Sequence, residues 1–167
     1  MTQVPEAFCR SPFYEPHSKI NCESFKEEQA NQWPLFYFDM NICDQADSWT
    51  RDRYLPLLFT RWHELDQIIS IYHEQEDKSK VASVTAEYTA LLLEALFWIN
   101  HRLVPTLIHI EDKIEELAYK PPNSRERIAF VLIAPHRYRS FVQMKSFMEE
   151  LEKLYARVKM LEAKSTN

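Results

Sequence analysis

From Asp52 onward, apolar side chains recur at alternating steps of three and four residues. Leu55, Leu58, Trp62, Leu65, Ile69 and Tyr72 fall on one stripe of a helix, and Glu74-Gln75-Glu76-Asp77-Lys78 reads as its polar exit. Pro56 fits this helix if it lies in the first turn, where its missing N–H has no intrahelical partner. A turn is expected near residues 77–79. Val81, Val84, Tyr88, Leu91, Ala95 and Trp98 then repeat the spacing. Leu92, Leu96 and Ile99 widen the stripe until little polar surface remains, so the second helix belongs at the centre of the fold.

Pro105 ends or kinks that helix. A shorter amphipathic stretch with Ile110, Ile114 and Leu117 follows, and Pro121-Pro122 stops it. Asn123 with Glu126 has the form of a capping box opening a short helix that carries Ile128, Phe130, Val131 and Ile133, all expected to be buried. Pro135 is placed at the first position of the last helix. There Phe141, Met144, Met148, Leu151, Tyr155 and Val158 form a heptad-like seam. The seam is expected to face its own domain, with a homodimer through it left open.

Residues 1–50 show no sustained period but are rich in Pro, Asn, Asp and aromatics, including Pro12-Phe13-Tyr14 and Pro34-Leu35-Phe36-Tyr37-Phe38. They read as an irregular arm anchored to the body by its rings, with one short helix over residues 22–32 capped by Asn21. The expected fold is all-α: a helical bundle of three long and two short helices with an irregular N-terminal arm. A single domain is expected, made of the arm (1–50), the bundle (51–163) and a frayed tail (164–167).

Glycine is absent. That removes phosphate-cradling GxxxxGK[ST] loops, GxGxxG dinucleotide turns and GxSxG nucleophile elbows, all of which need backbone approach that a Cβ blocks. It also agrees with a helical fold, which needs positive φ least. Cys9, Cys22 and Cys43 are odd in number and form no CxxC pair, so reduced structural thiols are expected. No basic segment leading into an apolar core opens the chain, and the longest uninterrupted apolar runs are too short to span a bilayer, so no membrane insertion and a cytoplasmic location are expected.

Catalytic and metal patterns are weak. HExxH is missing, because His63-Glu64 is followed by Leu65, Asp66 and Gln67, and no histidine has a glutamate three residues before it. Glu87, Glu94 and His101 share one helix face, with His109 able to fold back nearby. Successive heptad positions lie about 10 Å apart along a helix axis, too far for one ion, so a solvated stripe is expected there. His73 with Asp77, and His63 with Asp66, have the spacing of imidazole–carboxylate pairs but also of ordinary surface neighbours. No catalytic residue, no cofactor and no metal site is assigned.

Charge is the sharpest local signal. Residues 118–145 hold six basic side chains and one acidic, within a chain whose net charge is −5. Lys120, Arg125, Arg127, Arg137, Arg139 and Lys145, with Tyr138 among them, have the residue types an anion-binding surface requires. Arg125/Arg127 and Arg137/Arg139 are i,i+2 pairs, which point in different directions on a helix, so one contiguous surface does not follow. Three readings stand: pairing with acids of the same chain, docking of an acidic protein segment, and binding of nucleic acid.

The segment from Lys120 through Pro121-Pro122, Arg125, Arg127 and Pro135-His136-Arg137-Tyr138-Arg139, continuing into Met148-Glu-Glu-Leu-Glu-Lys-Leu-Tyr-Ala-Arg157, resembles the C-terminal part of the YpoC-like family of low-GC Gram-positive bacteria. The arm with Pro-Leu-Phe-Tyr-Phe matches more loosely, and the central helices carry little identifying detail. The resemblance implies no catalytic residue or cofactor. It implies a gene neighbourhood with a class A penicillin-binding protein and with DNA recombination and repair, hence a cytosolic factor tied to wall synthesis or to DNA. The expected function is that of a non-enzymatic interaction or adaptor protein using the arginine block, with a DNA-associated accessory factor as the alternative.

Overall fold

The computed structural model describes residues 1–23, 32–44 and 48–166. A two-stranded antiparallel ribbon pairs β1 (Thr2–Gln3) with β2 (Lys19–Ile20), Thr2 opposite Ile20. Among the described residues six α-helices follow: α1 (Tyr37–Met40), α2 (Arg51–Glu74), α3 (Lys78–Trp98), α4 (Ile110–Glu115), α5 (Ser124–Ile133) and α6 (Tyr138–Ser165). The fold is all-α, as the periodicity implies, with α1 as an additional one-turn helix. The short helix expected over residues 22–32 lies almost wholly outside the described residues. Next to them, Asn21 Oδ1 accepts a hydrogen bond from the Glu23 N–H.

Helices α2 and α3 form an antiparallel hairpin, and α6 packs across both. The stripe residues Leu55, Leu58, Trp62, Leu65 and Ile69 are buried, as is the α6 seam from Phe141 to Val158 apart from the half-buried Tyr155. Helix α3 is long and apolar enough to cross a membrane by length and composition, but 67% of its apolar window is buried inside the protein. Its buried Thr85 and Thr89 satisfy their hydroxyls by donating to the carbonyls of Val81 and Thr85 one turn back.

Several joints differ from expectation. Helix α2 starts at Arg51, so Pro56 is its sixth residue, inside the helix and beyond the first turn. Pro135 precedes α6, whose N-cap is Arg137; the Ala134 carbonyl accepts from Arg137 N–H and Ser140 Oγ, making a turn of the segment. At α5 no capping box forms. Asn123 is left-handed (φ 58°), its side chain makes no cap, and Ser124 Oγ donates instead to the Pro121 carbonyl. Only half of the predicted apolar face of α5 is covered: Ile128 and Val131 are buried, while Phe130 and Ile133 are 47% and 82% exposed.

Without glycine, seven other residues among those described take positive φ: His17, Phe36, Asn41, Glu76, His101, His109 and Asn123. Four stand at helix ends of the bundle. After α2, Glu76 N–H bonds the His73 carbonyl and Asp77 N–H bonds the Tyr72 carbonyl. After α3, His101 and Arg102 bond Trp98 and Phe97 in the same way. These are two Schellman closures, in which a left-handed residue lets its own N–H and that of the next residue reach back to orphan carbonyls. Asp77 then caps α3 by accepting from Lys80 N–H.

The N-terminal arm is held by rings and hydrogen bonds. Phe36 lies 5.7 Å from Phe8 and 5.1 Å from Phe13, and Phe38 lies 4.5 Å from Tyr54. Leu107 N–H donates to the Ala7 carbonyl, and Arg10 donates to the Leu107 carbonyl and to Glu111 at 2.9 Å. Cys22 and Cys43 form a disulfide, contrary to the expected reduced thiols, while Cys9 is free. The pairing joins two stretches 21 residues apart in an arm without regular period, and no spacing rule foretells it.

The far end of the bundle is closed by one buried cation. Arg51, 2% exposed, donates to the Ile99 carbonyl, to Asp52 and to both carboxylate oxygens of Glu162, joining the start of α2 to the ends of α3 and α6.

Candidate functional site

The basic block divides into four parts once folded. Arg125 pairs with Asp112 at 2.8 Å on the exposed surface. Lys145 points to α2 and pairs with Asp66 at 3.3 Å. Arg137, Tyr138 and Arg139 lie at the start of α6, where Arg137 and Tyr138 line a broad cavity of about 1040 Å³ with His73, Glu74, Glu76 and Lys78. The structure therefore does not bring the seven predicted residues onto one surface, because α5 separates its two ends by ten residues of helix.

Lys120 and Arg127 do come together, and they do so beside two cations that the sequence reading left out. A groove of about 480 Å³ between the Pro121-Pro122 elbow and α6 is lined by Lys120, Asn123, Arg127, Glu150, Lys153, Leu154 and Arg157. The Arg127 guanidinium donates to Glu150 at 2.8 and 3.2 Å and to Gln143 at 2.9 Å, and it stacks over Phe147 at 4.7 Å. Lys120 Nζ donates to the carbonyls of Glu115 and Leu117, which satisfies its hydrogen bonds without cancelling its charge. Among the described residues, no carboxylate pairs with Lys153 or Arg157. The groove thus holds four cations and one carboxylate. The missed signal is the i,i+4 spacing of Lys153 and Arg157, hidden because residues 146–167 are charge-balanced as a block.

The histidine and carboxylate candidates resolve differently from the pairs read in the sequence. His63 pairs with Glu152 at 2.6 Å, not with Asp66, which accepts from the Tyr88 hydroxyl at 2.9 Å. His73 stacks on Phe141 at 4.9 Å, and burial lowers its pKa. Of the proposed solvated stripe, Glu87 forms a bidentate pair with Arg61 (2.7 and 2.8 Å) and His101 meets Glu162 at 3.2 Å. Glu94 does not belong to a solvated stripe at all: it is 6% exposed. Among the described residues, no cluster of three or more His, Cys, Asp or Glu is placed to hold a metal.

Glu94 faces a second buried acid, Asp39 of α1. Asp39 Oδ1 accepts from Trp98 Nε1 at 2.9 Å and from Val104 N–H at 2.7 Å, and the Glu94 carboxyl is its further hydrogen-bond partner. Burial raises the pKa of both, Glu94 well above the carboxylate range, with the Asp39 charge as its second cause. The hydrogen bonds that Asp39 receives from Glu94, Trp98 and Val104 oppose its own rise. Two adjacent carboxylates in a desolvated site cannot both ionise at low cost, so Glu94 carries the proton and its O–H satisfies Asp39. The signal for Asp39 is an acid inside the run Phe36-Tyr37-Phe38-Asp39-Met40, overlooked in reading that run as packing alone.

A helical bundle is the class of protein that the fold defines. The chain belongs to the YpoC-like protein family, whose model matches residues 52–163. The match thus includes the central helices and leaves out the arm. The chain is 27% identical over 120 residues to the protein of Bacillus subtilis (strain 168) described as "Uncharacterized protein YpoC", covering 70% of this chain and 73% of that one. No solved structure matches.

Proposed function

We propose that this chain works by binding and not by catalysis, with the groove beside α6 taking an acidic segment of a partner protein. The observation that carries the reading is the excess of cations there: Lys120, Arg127, Lys153 and Arg157 face one carboxylate in a chain of net charge −5. Such a local reversal of sign attracts and orients an acidic partner.

The outward face of α6 extends the surface. Arg139, Val142, Ser146, Glu149, Lys153 and Arg157 are exposed and follow helical spacing from one end to the other, with Glu149 as the one acid on the line. At 1.5 Å per residue this line is roughly 27 Å long, enough for a short helix or extended segment. Val142 is 47% exposed and supplies an apolar foothold. Among the described residues no aromatic ring lines the groove, whereas stacking platforms are what single-stranded nucleic acid requires.

The test is fluorescence anisotropy of a labelled ten-residue glutamate-rich peptide at low and high salt. Binding that weakens with salt and drops at least tenfold in the K153E/R157E variant, but not in K78E, is the expected result. No binding at low salt overturns the proposal. Binding to DNA in place of the peptide, lost in the same double variant, assigns the groove to nucleic acid.

A further inference from the structure

A separate cavity lies on the other side of α3, where the N-terminal arm meets α2. It has a volume of about 40 Å³, is open on one side, and is lined by Trp33, Tyr37, Tyr54, Trp98, Arg61, Glu87 and Glu94 among others. A water needs roughly 10–15 Å³ on this measure, so the space holds a group of two or three heavy atoms. Aromatic rings and leucines share its walls: Trp33 lies 6.1 Å from Tyr37 and 5.8 Å from Tyr54, and Leu57, Leu58 and Leu91 add to the apolar lining.

The charge in this cavity is unbalanced. Arg61 and Glu87 neutralise each other through their two short hydrogen bonds. Glu94 lines the cavity, and among the described residues no N–H or O–H group donates to it. Behind it stands Asp39, with which Glu94 is hydrogen-bonded and shares one proton. Aromatic rings beside a buried acid pair that carries one negative charge are what a small organic cation needs, the rings attracting charge through their quadrupoles while the carboxylate accepts hydrogen bonds. A metal ion would need more oxygen ligands than Glu94 and Asp39 supply.

We propose that this cavity binds a primary ammonium group, R–NH3+, with Glu94 as its carboxylate partner and Trp33, Tyr54 and Trp98 as its aromatic walls. Glu94 is protonated in the empty cavity, so binding exchanges one cation for another: its proton passes to solvent and the ammonium N–H groups take its place. The other titratable groups around it are Asp39 from α1, Tyr37 and Tyr54 on the walls, Arg61 and Glu87 as a closed pair, and Tyr14, whose pKa is raised first by burial and then by Glu94. The ammonium has two natural sources, a free alkylamine or a lysine side chain of another protein.

The experiment titrates methylammonium into the full chain, read by tryptophan fluorescence and by calorimetry in two buffers of different ionisation enthalpy. Saturable binding with proton release is expected, with at least a tenfold loss in E94Q and a clear weakening in W33L. Tighter binding of acetyl-Gly-Lys-Gly-amide than of methylammonium assigns the site to a lysine, and the reverse to a free amine. No response of the wild-type protein to methylammonium at decimolar concentration overturns the proposal whatever the variants do. So does equal binding of tetramethylammonium, which has no N–H to donate.

Discussion

Asp39 and Trp98 are joined across 59 positions of sequence by a hydrogen bond of 2.9 Å between the indole N–H and Oδ1. The same oxygen accepts from the Val104 N–H, so one carboxylate ties the arm's short helix to the last turn of α3 and to the chain leaving it. Replacing Asp39 by Ala leaves two buried donors without an acceptor, each costing about 1–3 kcal/mol. The D39A chain is expected to lose about 2–4 kcal/mol in urea unfolding, and D39N, which keeps a carbonyl oxygen, distinctly less. Equal losses would show that charge, and not acceptance, is what matters.

Glu94 gives stability a pH dependence of known sign. Its folded pKa is raised, so on going up from the ordinary carboxylate range the unfolded chain gives up this proton while the folded chain keeps it. Stability from this group is therefore complete at low pH and falls as pH rises towards its folded value. Asp52 and Glu162, held low by their hydrogen bonds to Arg51, act in the opposite direction, losing their contribution as pH falls. E94Q cannot ionise and still donates to Asp39. It is expected to be more stable than wild type at pH 8, with the difference shrinking towards pH 4; a pH-independent difference in urea unfolding would remove the shared proton from the account.

Glu76 is exposed, sits at φ 53° and closes α2 in a conformation that glycine adopts without a Cβ penalty. E76G is expected to stabilise the chain by about 0.5–1 kcal/mol despite the greater freedom of glycine in the unfolded state. The control is A82G, an exposed position inside α3, expected to cost about 0.5–1 kcal/mol. Thermal melts of the two variants should move in opposite directions.

The stripes of α2, α3 and α6 were legible because each buries one face along its whole length, and a 3.6-residue period then records the core directly in the order of residues. The absence of glycine was legible too, and the all-α fold it agreed with is the one observed, but positive φ persists without it. Positive φ is imposed by how tightly successive helices must turn back, so Glu76, His101, His109 and Asn123 adopt it even though the chain offers no glycine.

Burial of Asp39 and Glu94, the Cys22–Cys43 link, the exposure of Phe130 and Ile133, and the division of the arginine block all depend on which elements meet across long stretches of sequence. Local pattern carries no record of that. Lys120 and Arg127 share a groove with Lys153 and Arg157 only because α5 folds back along α6, and Arg137 and Arg139 leave the groove for the same reason. The order of residues determined the helices and the faces they bury; tertiary packing alone decided which charges stand together and which acid loses its water.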